Sequence, residues 1–334
     1  MYPNSIHCDI TGVDHKIVTA TQNVEEFLTW VQKMIGEMCQ GKRICVSLDC
    51  EGFNLGAIPN SLGLIQIAQC YADDVFDPNV ETPIPLNIQP GFMVKIPNCP
   101  EVYDGLSALL TQDNIRIICF DFICDFASMT EVGIKINFEN AFDTQTFGCK
   151  GTYFPNRSLK EVCENGNLCE EYDLCIEAIK QKKSFDFAKF TYECRNEIAP
   201  FEKMLSEDFW RYSCHDIVLT ALAGISAITK YGTDNVIEYS KDKAKKFEEF
   251  QKQYGILAPS IAKNASFTAS HVDQLKRSSK LKFAYSNFSR AWCIVQGYDM
   301  MDPDTKKSLK HPKEYFVECC ENAAKFIEEN APKQ

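Results

Sequence analysis

Acidic residues at fixed intervals in three separated stretches set the tightest limit on how this chain can fold. The first stretch reads ICVSLDCEG, residues 44–52. An apolar, β-branched run ends there in two carboxylates with one residue between them. In a strand, residues i and i+2 project to the same side, so Asp49 and Glu51 stand together. Two like charges at that separation are unfavourable unless a cation sits between them. An all-oxygen ligand set favours a hard cation, Mg²⁺ or Mn²⁺. The third stretch, FWRYSCHDIVLTALAGI (209–225), spaces Phe209, Ile217, Leu219, Ala221, Leu222 and Ile225 as a helix does. Tyr212 and Asp216 are four apart and share one face of it. Between the two, RIICFDFICDFASMTEVGI (116–134) reads as a buried strand feeding a helix that Asp125 opens. Taken singly, each has a plainer reading: a solvated strand edge, a helix N-cap at Asp125, a polar helix face. Their joint occurrence points to a metal site.

The stretches lie in an alternating pattern. Residues 1–20 read as an extended lead-in. Residues 17–38 read as a strand ending in a helix, with Asn23 as its N-cap, Glu25 and Glu26 in its first turn, and Phe27, Trp30, Val31 and Ile35 as its apolar stripe. Strands are expected at 43–50, 62–69 and 73–77, with Pro59 and Asn60 in the turn between the first two. Residues 78–100 carry Pro78, Pro83, Pro85, Pro90, Pro97 and Pro100 and read as an extended insertion near the rim of the site. A helix at 103–112, a strand at 116–120, a helix at 124–132 and a short strand at 139–143 complete the pattern. No strand signal follows. Strands alternating with helices, then a helical tail, predict an α/β fold: a mixed central sheet flanked by helices. The expected division is an enzyme-like domain over 1–231 and a helical C-terminal extension over 232–334.

The ordered set Asp-x-Glu, Asp, Tyr-x-x-x-Asp resembles the DEDDy branch of the DEDD 3′–5′ exonucleases. The surrounding text is similar too. SLGLIQIA (61–68) matches the strand after the first motif, and FDTQTF (142–147) the segment after the second. RSLKEVCE (157–164) and LSEDFWRYSCHDIVLTALAG (205–224) match the RNase D pattern around the third. DCEG, with Asp121 four residues before Asp125, is similar to the Egalitarian-like and piRNA-biogenesis exonuclease-domain proteins. The resemblance implies a ribonuclease H-like fold and a metal-dependent 3′–5′ exonuclease acting on single-stranded nucleic acid, RNA rather than DNA. It also implies roles. Asp49 would bridge two divalent cations about 4 Å apart. Glu51 and Asp216 would hold the cation that carries the attacking water, Asp125 would support the other, and Tyr212 would orient the water. The same subgroup implies an alternative, a catalytically inactive exonuclease fold serving as an RNA-binding adaptor. Against that stands the retention of all four acids and the tyrosine.

Other residues narrow the field. No P-loop, dinucleotide fingerprint or nucleophile elbow is present. Asp121 reads as a substrate contact or a support for the ligands, Asp143 as a cap for the short helix after it. His215 lies about 100° round the helix from Asp216 and reads as structural. Net charge is −11, unevenly spread: 18 Lys/Arg against 34 Asp/Glu over residues 1–240, and 17 against 12 over 241–334. In the basic part, Lys276, Arg277, Lys280, Lys282 and Arg290 alternate with Phe283, Tyr285, Phe288 and Trp292. This is the expected contact for phosphates and unpaired bases, although an amphipathic helix burying its aromatics gives the same pattern. The 17 cysteines contain no Cys-x-x-Cys pair, so buried free thiols are expected ahead of zinc or redox chemistry. With no leader-like start and no long apolar run, an intracellular protein, cytoplasmic or nuclear, without membrane contact is expected.

Overall fold

A computed structural model describes residues 2–53, 55–56, 59–70, 87–145, 159, 187–196, 200–257, 259, 281–300, 303–309 and 311–331. Seven strands form one mixed sheet: β1 (Ser5–Cys8), β2 (Val13–Val18), β3 (Ile44–Gly52), β4 (Leu62–Gln69), β5 (Phe92–Lys95), β6 (Ile115–Cys119) and β7 (Ala141–Asp143). Their order is β1-β2-β5-β4-β3-β6-β7. β4 runs antiparallel to both β3 and β5, β1 antiparallel to β2, and the remaining neighbours pair in parallel. The segment β5-β4-β3-β6-β7, with its first strand, β3, at the centre, has the strand order expected of a ribonuclease H-like sheet.

Alternation along each strand separates two cores. On β3, Val46, Leu48 and Cys50 face one side, while Cys45, Ser47, Asp49 and Glu51 face the other. The first side is covered by α1 (Val24–Cys39), α2 (Pro100–Leu110), α3 (Ile123–Glu131) and α7 (Thr233–Tyr254), through Phe27, Val102, Phe126 and Phe247 among others. The second is covered by α6 (Glu207–Tyr231), a 25-residue helix whose Phe209, Ile217 and Leu222 are buried against Cys45, Leu64 and Ile118. Ser47 Oγ donates to the Ile217 carbonyl at 2.7 Å, so the central strand and α6 are tied directly. Among the described residues the remaining helices are α4 (Phe187–Glu193), α5 (Pro200–Met204), α8 (Leu281–Gly297), α9 (Pro303–Ser308) and α10 (Lys313–Asn330). α8 and α10 enclose a small apolar cluster of Ala284, Tyr285, Phe288, Ala323 and Ile327.

Several expectations change here. The lead-in is a hairpin: His15 and Ile17 are buried in β2, and β1 extends the sheet beyond it. Asn23 occupies the N-cap of α1 with φ 57°, but its side chain does not cap. It donates to the carbonyls of Asn4 and Ile17 and so pins the hairpin to the helix start. The Pro-rich 78–100 segment is not all insertion, because Phe92–Lys95 within it form β5, buried between β2 and β4. The expected strand 73–77 and the prolines at 78, 83 and 85 lie outside the described residues. The boundary expected at 231/232 separates two helices that both pack on the sheet, since Ala244 and Phe247 of α7 join the core beneath it.

Candidate active site

The site lies where β3 ends. Register with β4 sets Asp49 opposite Gln66 and Glu51 opposite Leu64, then shifts between Glu51 and Gly52. Gly52 allows that shift: a Cβ there would lie 2.1 Å from the Ser61 carbonyl oxygen. The strand can therefore bend immediately after its second carboxylate.

α6 crosses over this end of the strand. Tyr212 and Asp216, one turn apart, are both buried. Asp49, Glu51 and Asp216 each bring one carboxylate oxygen to within 4.8 Å of the other two. Three carboxylates from two elements, two of them buried, make a group that repels itself in low dielectric and fits a divalent cation. Asp125 stands outside that triple. It enters from α3 on the opposite face, in the first turn of the helix and 6% exposed, where the helix dipole favours a negative charge. Its charge acts on Cys50 of β3 together with theirs: burial pushes that thiol well up, and the charges of Asp125, Asp49 and Glu51 add to the shift. The start of α3 is at Ile123, with Phe122 at the N-cap, so Asp125 sits within the first turn and does not cap.

Tyr212 is held as a neutral phenol. Burial pushes its pKa well above the usual value, and the charges of Asp216, Glu51 and Asp49 add to this. Its hydroxyl donates to Asp216, so a protonated oxygen stands at the edge of the carboxylate group.

Asp143 caps the short helical turn after it, as expected, through the Gln145 amide, and it does more. Its carboxylate accepts from the amides of Asp121 (2.9 Å), Phe122 (3.2 Å) and Gln145 (3.0 Å). It therefore holds the turn that starts α3, in which Asp121 takes φ 61°. Lys243 of α7 pairs with Asp143 and, at 3.6 Å, with Asp121.

Beside the carboxylates lies a cavity of about 350 Å³ lined by Glu51, Phe53, Phe190, Thr191, Tyr212 and Ser289, among others. Ser289 of α8 donates to Thr191 of α4 at 3.2 Å, and Trp292 and Phe190 meet Phe53 edge-on. The C-terminal helices thus supply part of the wall, which no spacing in the sequence could reveal. Of the basic residues expected to touch nucleic acid, Lys276, Arg277 and Lys280 lie outside the described residues. Lys282 is exposed, Arg290 is half-buried, and Tyr285 and Phe288 between them are buried against α10. His215 is buried and outside the carboxylate group, its pKa lowered chiefly by burial. No helix among the described residues is long and apolar enough to cross a membrane.

A mixed sheet that gathers carboxylates from β3 and α6 beside a phenol and an open cavity defines a nuclease-like site. The chain belongs to the 3′–5′ exonuclease domain family, whose family model matches residues 16–223. Asp49, Glu51, Asp125, Tyr212 and Asp216 all fall inside that span, and Ser289 falls outside it. Among solved structures, the catalytic core of RRP6 from Trypanosoma brucei is similar at 12% identity and a TM-score of 0.36, covering 98% of this chain and 84% of that one. The C496S mutant of that core gives 11% identity and 0.34, with 100% and 96% covered. Comparison with curated proteins finds no match.

Proposed function

We propose that this 3′–5′ exonuclease hydrolyses phosphodiester bonds one nucleotide at a time from the 3′ end of single-stranded nucleic acid, with RNA preferred over DNA. The observation that carries the reading is the convergence of Asp49, Glu51 and Asp216 within 4.8 Å beside the protonated Tyr212. Asp49, Glu51, Asp125 and Asp216 would hold two divalent cations, Mg²⁺ or Mn²⁺, which supply a water of lowered pKa and neutralise charge on the phosphate and leaving oxygen. The four carboxylates fix where positive charge can stand, and the Gly52 bend keeps Glu51 turned toward α6. Tyr212 keeps its proton and orients the water through its hydroxyl.

The cavity takes the terminal nucleotide. Its volume falls in the range of small-ligand pockets, roughly 300–1,000 Å³. Its aromatic wall at Phe53 suits a base, and the Thr191–Ser289 hydroxyl pair suits a sugar. The exonuclease domain is then residues 1–231, with the 232–334 extension closing one side. Preference for RNA rests on the similarity of DCEG to the Egalitarian-like proteins. Lys276, Arg277, Lys280, Lys282 and Arg290 remain the proposed contacts to the strand upstream of the scissile bond.

The test uses matched RNA and DNA oligonucleotides labelled at either end, with Mg²⁺ or Mn²⁺. A ladder shortening from the 3′ end, lost in Asp49→Ala, is expected. Tight RNA binding that neither EDTA nor Asp49→Ala disturbs, with no cleavage under any divalent cation, would instead identify the adaptor.

A further inference from the structure

Away from the carboxylates, three side chains from three elements meet in the core. Cys8 ends β1, His15 lies in β2, and Cys214 stands on α6 between Tyr212 and Asp216. None has exposed surface. The two sulfurs and one ring nitrogen lie within 4.8 Å of one another. Cys8 and His15 precede the span of the family match, which begins at residue 16.

Such a trio suggests zinc, but the histidine argues otherwise. The Gly91 amide donates to His15 Nδ1 at 3.1 Å. A backbone N–H can only donate, so Nδ1 carries the lone pair, and the neutral ring keeps its proton on Nε2. A zinc ligand needs the reverse, a free pair on Nε2 and a proton on Nδ1. What remains is a ring N–H and two facing sulfurs. Cys214 is the main influence on Cys8, whose thiol is pulled down to about 3 against the opposing effect of burial. In Cys50, Cys70, Cys119 and Cys293 burial prevails, so these thiols are pushed up and stay inert.

We propose that Cys8 and Cys214 are a reversible disulfide pair, with Cys8 the sulfur that reacts with a hydroperoxide and Cys214 the one that resolves it. In the first step the Cys8 thiolate attacks the peroxide oxygen, the O–O bond breaks, and with one proton the products are Cys8 sulfenic acid and water. In the second, the Cys214 thiol displaces hydroxide from that sulfur. The S–S bond forms, and the thiol proton leaves with the hydroxide as a second water. The sulfurs together lose two electrons, and the peroxide gains them. Cys8 stands next to the β1–β2 turn, whose Asp9 and Gly12 are exposed. The bond joins the first strand to the turn of α6 that carries Tyr212 and Asp216.

The full-length protein is treated with hydrogen peroxide, its remaining thiols are alkylated after denaturation, and it is digested without reduction for mass spectrometry. A peptide pair joined through Cys8 and Cys214 is expected, lost on dithiothreitol treatment and absent in Cys8→Ser. In Cys214→Ala, reaction stops at the first step, and dimedone should label Cys8. Recovery of both cysteines alkylated after peroxide has consumed other thiols overturns the proposal. So does one zinc ion per untreated chain that Cys8→Ser removes, which would make the trio a metal site.

Discussion

Lys243 forms an ion pair with Asp143, a carboxylate with no exposed surface at the end of β7. The pair joins α7, in the C-terminal part of the chain, to the turn that launches α3 and Asp125. Asp143 also accepts three backbone N–H groups, so its charge is not left bare when the lysine goes. Lys243→Met should therefore destabilise by about 2 kcal/mol, the range for losing one charge-assisted bond and below that for stranding a buried charge. Asp143→Ala loses all the partners at once and should cost more, with activity falling further than stability alone explains because the start of α3 shifts. Denaturant unfolding of both variants beside wild type, with rates measured on the folded fraction, checks the order.

The carboxylate group should trade stability for cation binding. Asp216→Asn removes one of three charges crowded within 4.8 Å. In EDTA the variant should be more stable than wild type by roughly 1 kcal/mol, as when a strained functional site is relaxed. Adding Mn²⁺ or Mg²⁺ should raise the wild-type melting temperature, since a cation at 100 times its Kd contributes about 2.7 kcal/mol. The variant should respond little. A wild-type protein whose melting ignores both cations would contradict the metal reading.

Tyr212 gives a prediction in pH. Its folded pKa is raised, mainly by burial, so the neutral form is the one the folded state favours. The stabilisation is fully present below about 10, the unfolded value. It is lost as pH rises from there through the higher folded value. Ionisation of Tyr212 should thus produce no alkaline fall in kcat between pH 8 and 10. Absorbance titration should find Tyr212, with Tyr2, Tyr192 and Tyr239, ionising later in the folded protein than in its unfolded state. Tyr212→Phe keeps the buried ring and removes only the hydroxyl. It should lower kcat about 10²-fold and leave divalent-cation binding, measured by calorimetry, close to wild type.

How far the sequence could be read depended on the range over which each feature is encoded. Asp49 with Glu51, and Tyr212 with Asp216, are local patterns: a period of two on a strand, a spacing of four on a helix. The alternation of Val46, Leu48 and Cys50 against Ser47 and Asp49 likewise fixes the face of the sheet. Features made by distant partners were hidden. Phe92–Lys95 sits among prolines, and only its pairing with β2 and β4 makes it a strand. The β1–β2 hairpin reads as a lead-in because its inward positions include Cys8 and His15, which are polar or small where a strand usually shows large apolar residues. Asp143 was legible as a local cap, through Gln145 two residues on, but its further partners Asp121, Phe122 and Lys243, at 22, 21 and 100 positions away, were not.

The C-terminal helices should matter to substrate and not to metal. Ser289 of α8 lines the cavity with Glu51 and Tyr212, and its hydroxyl is held by Thr191. It is only half-buried and close to no carboxylate ligand in sequence, so a large ring there fills the cavity without opening the core. Ser289→Trp should therefore raise KM for a 3′-hydroxyl oligonucleotide by about tenfold or more, the scale of one lost small-pocket contact worth 1–3 kcal/mol. Mn²⁺ binding by calorimetry should be unchanged. Ser289→Ala removes the hydroxyl without adding bulk, so it separates a steric effect from loss of the Thr191 bond. If KM and the RNA-to-DNA rate ratio are both indifferent to the tryptophan, the terminal nucleotide does not occupy this cavity, and α8 serves only to pack against α4 and α10.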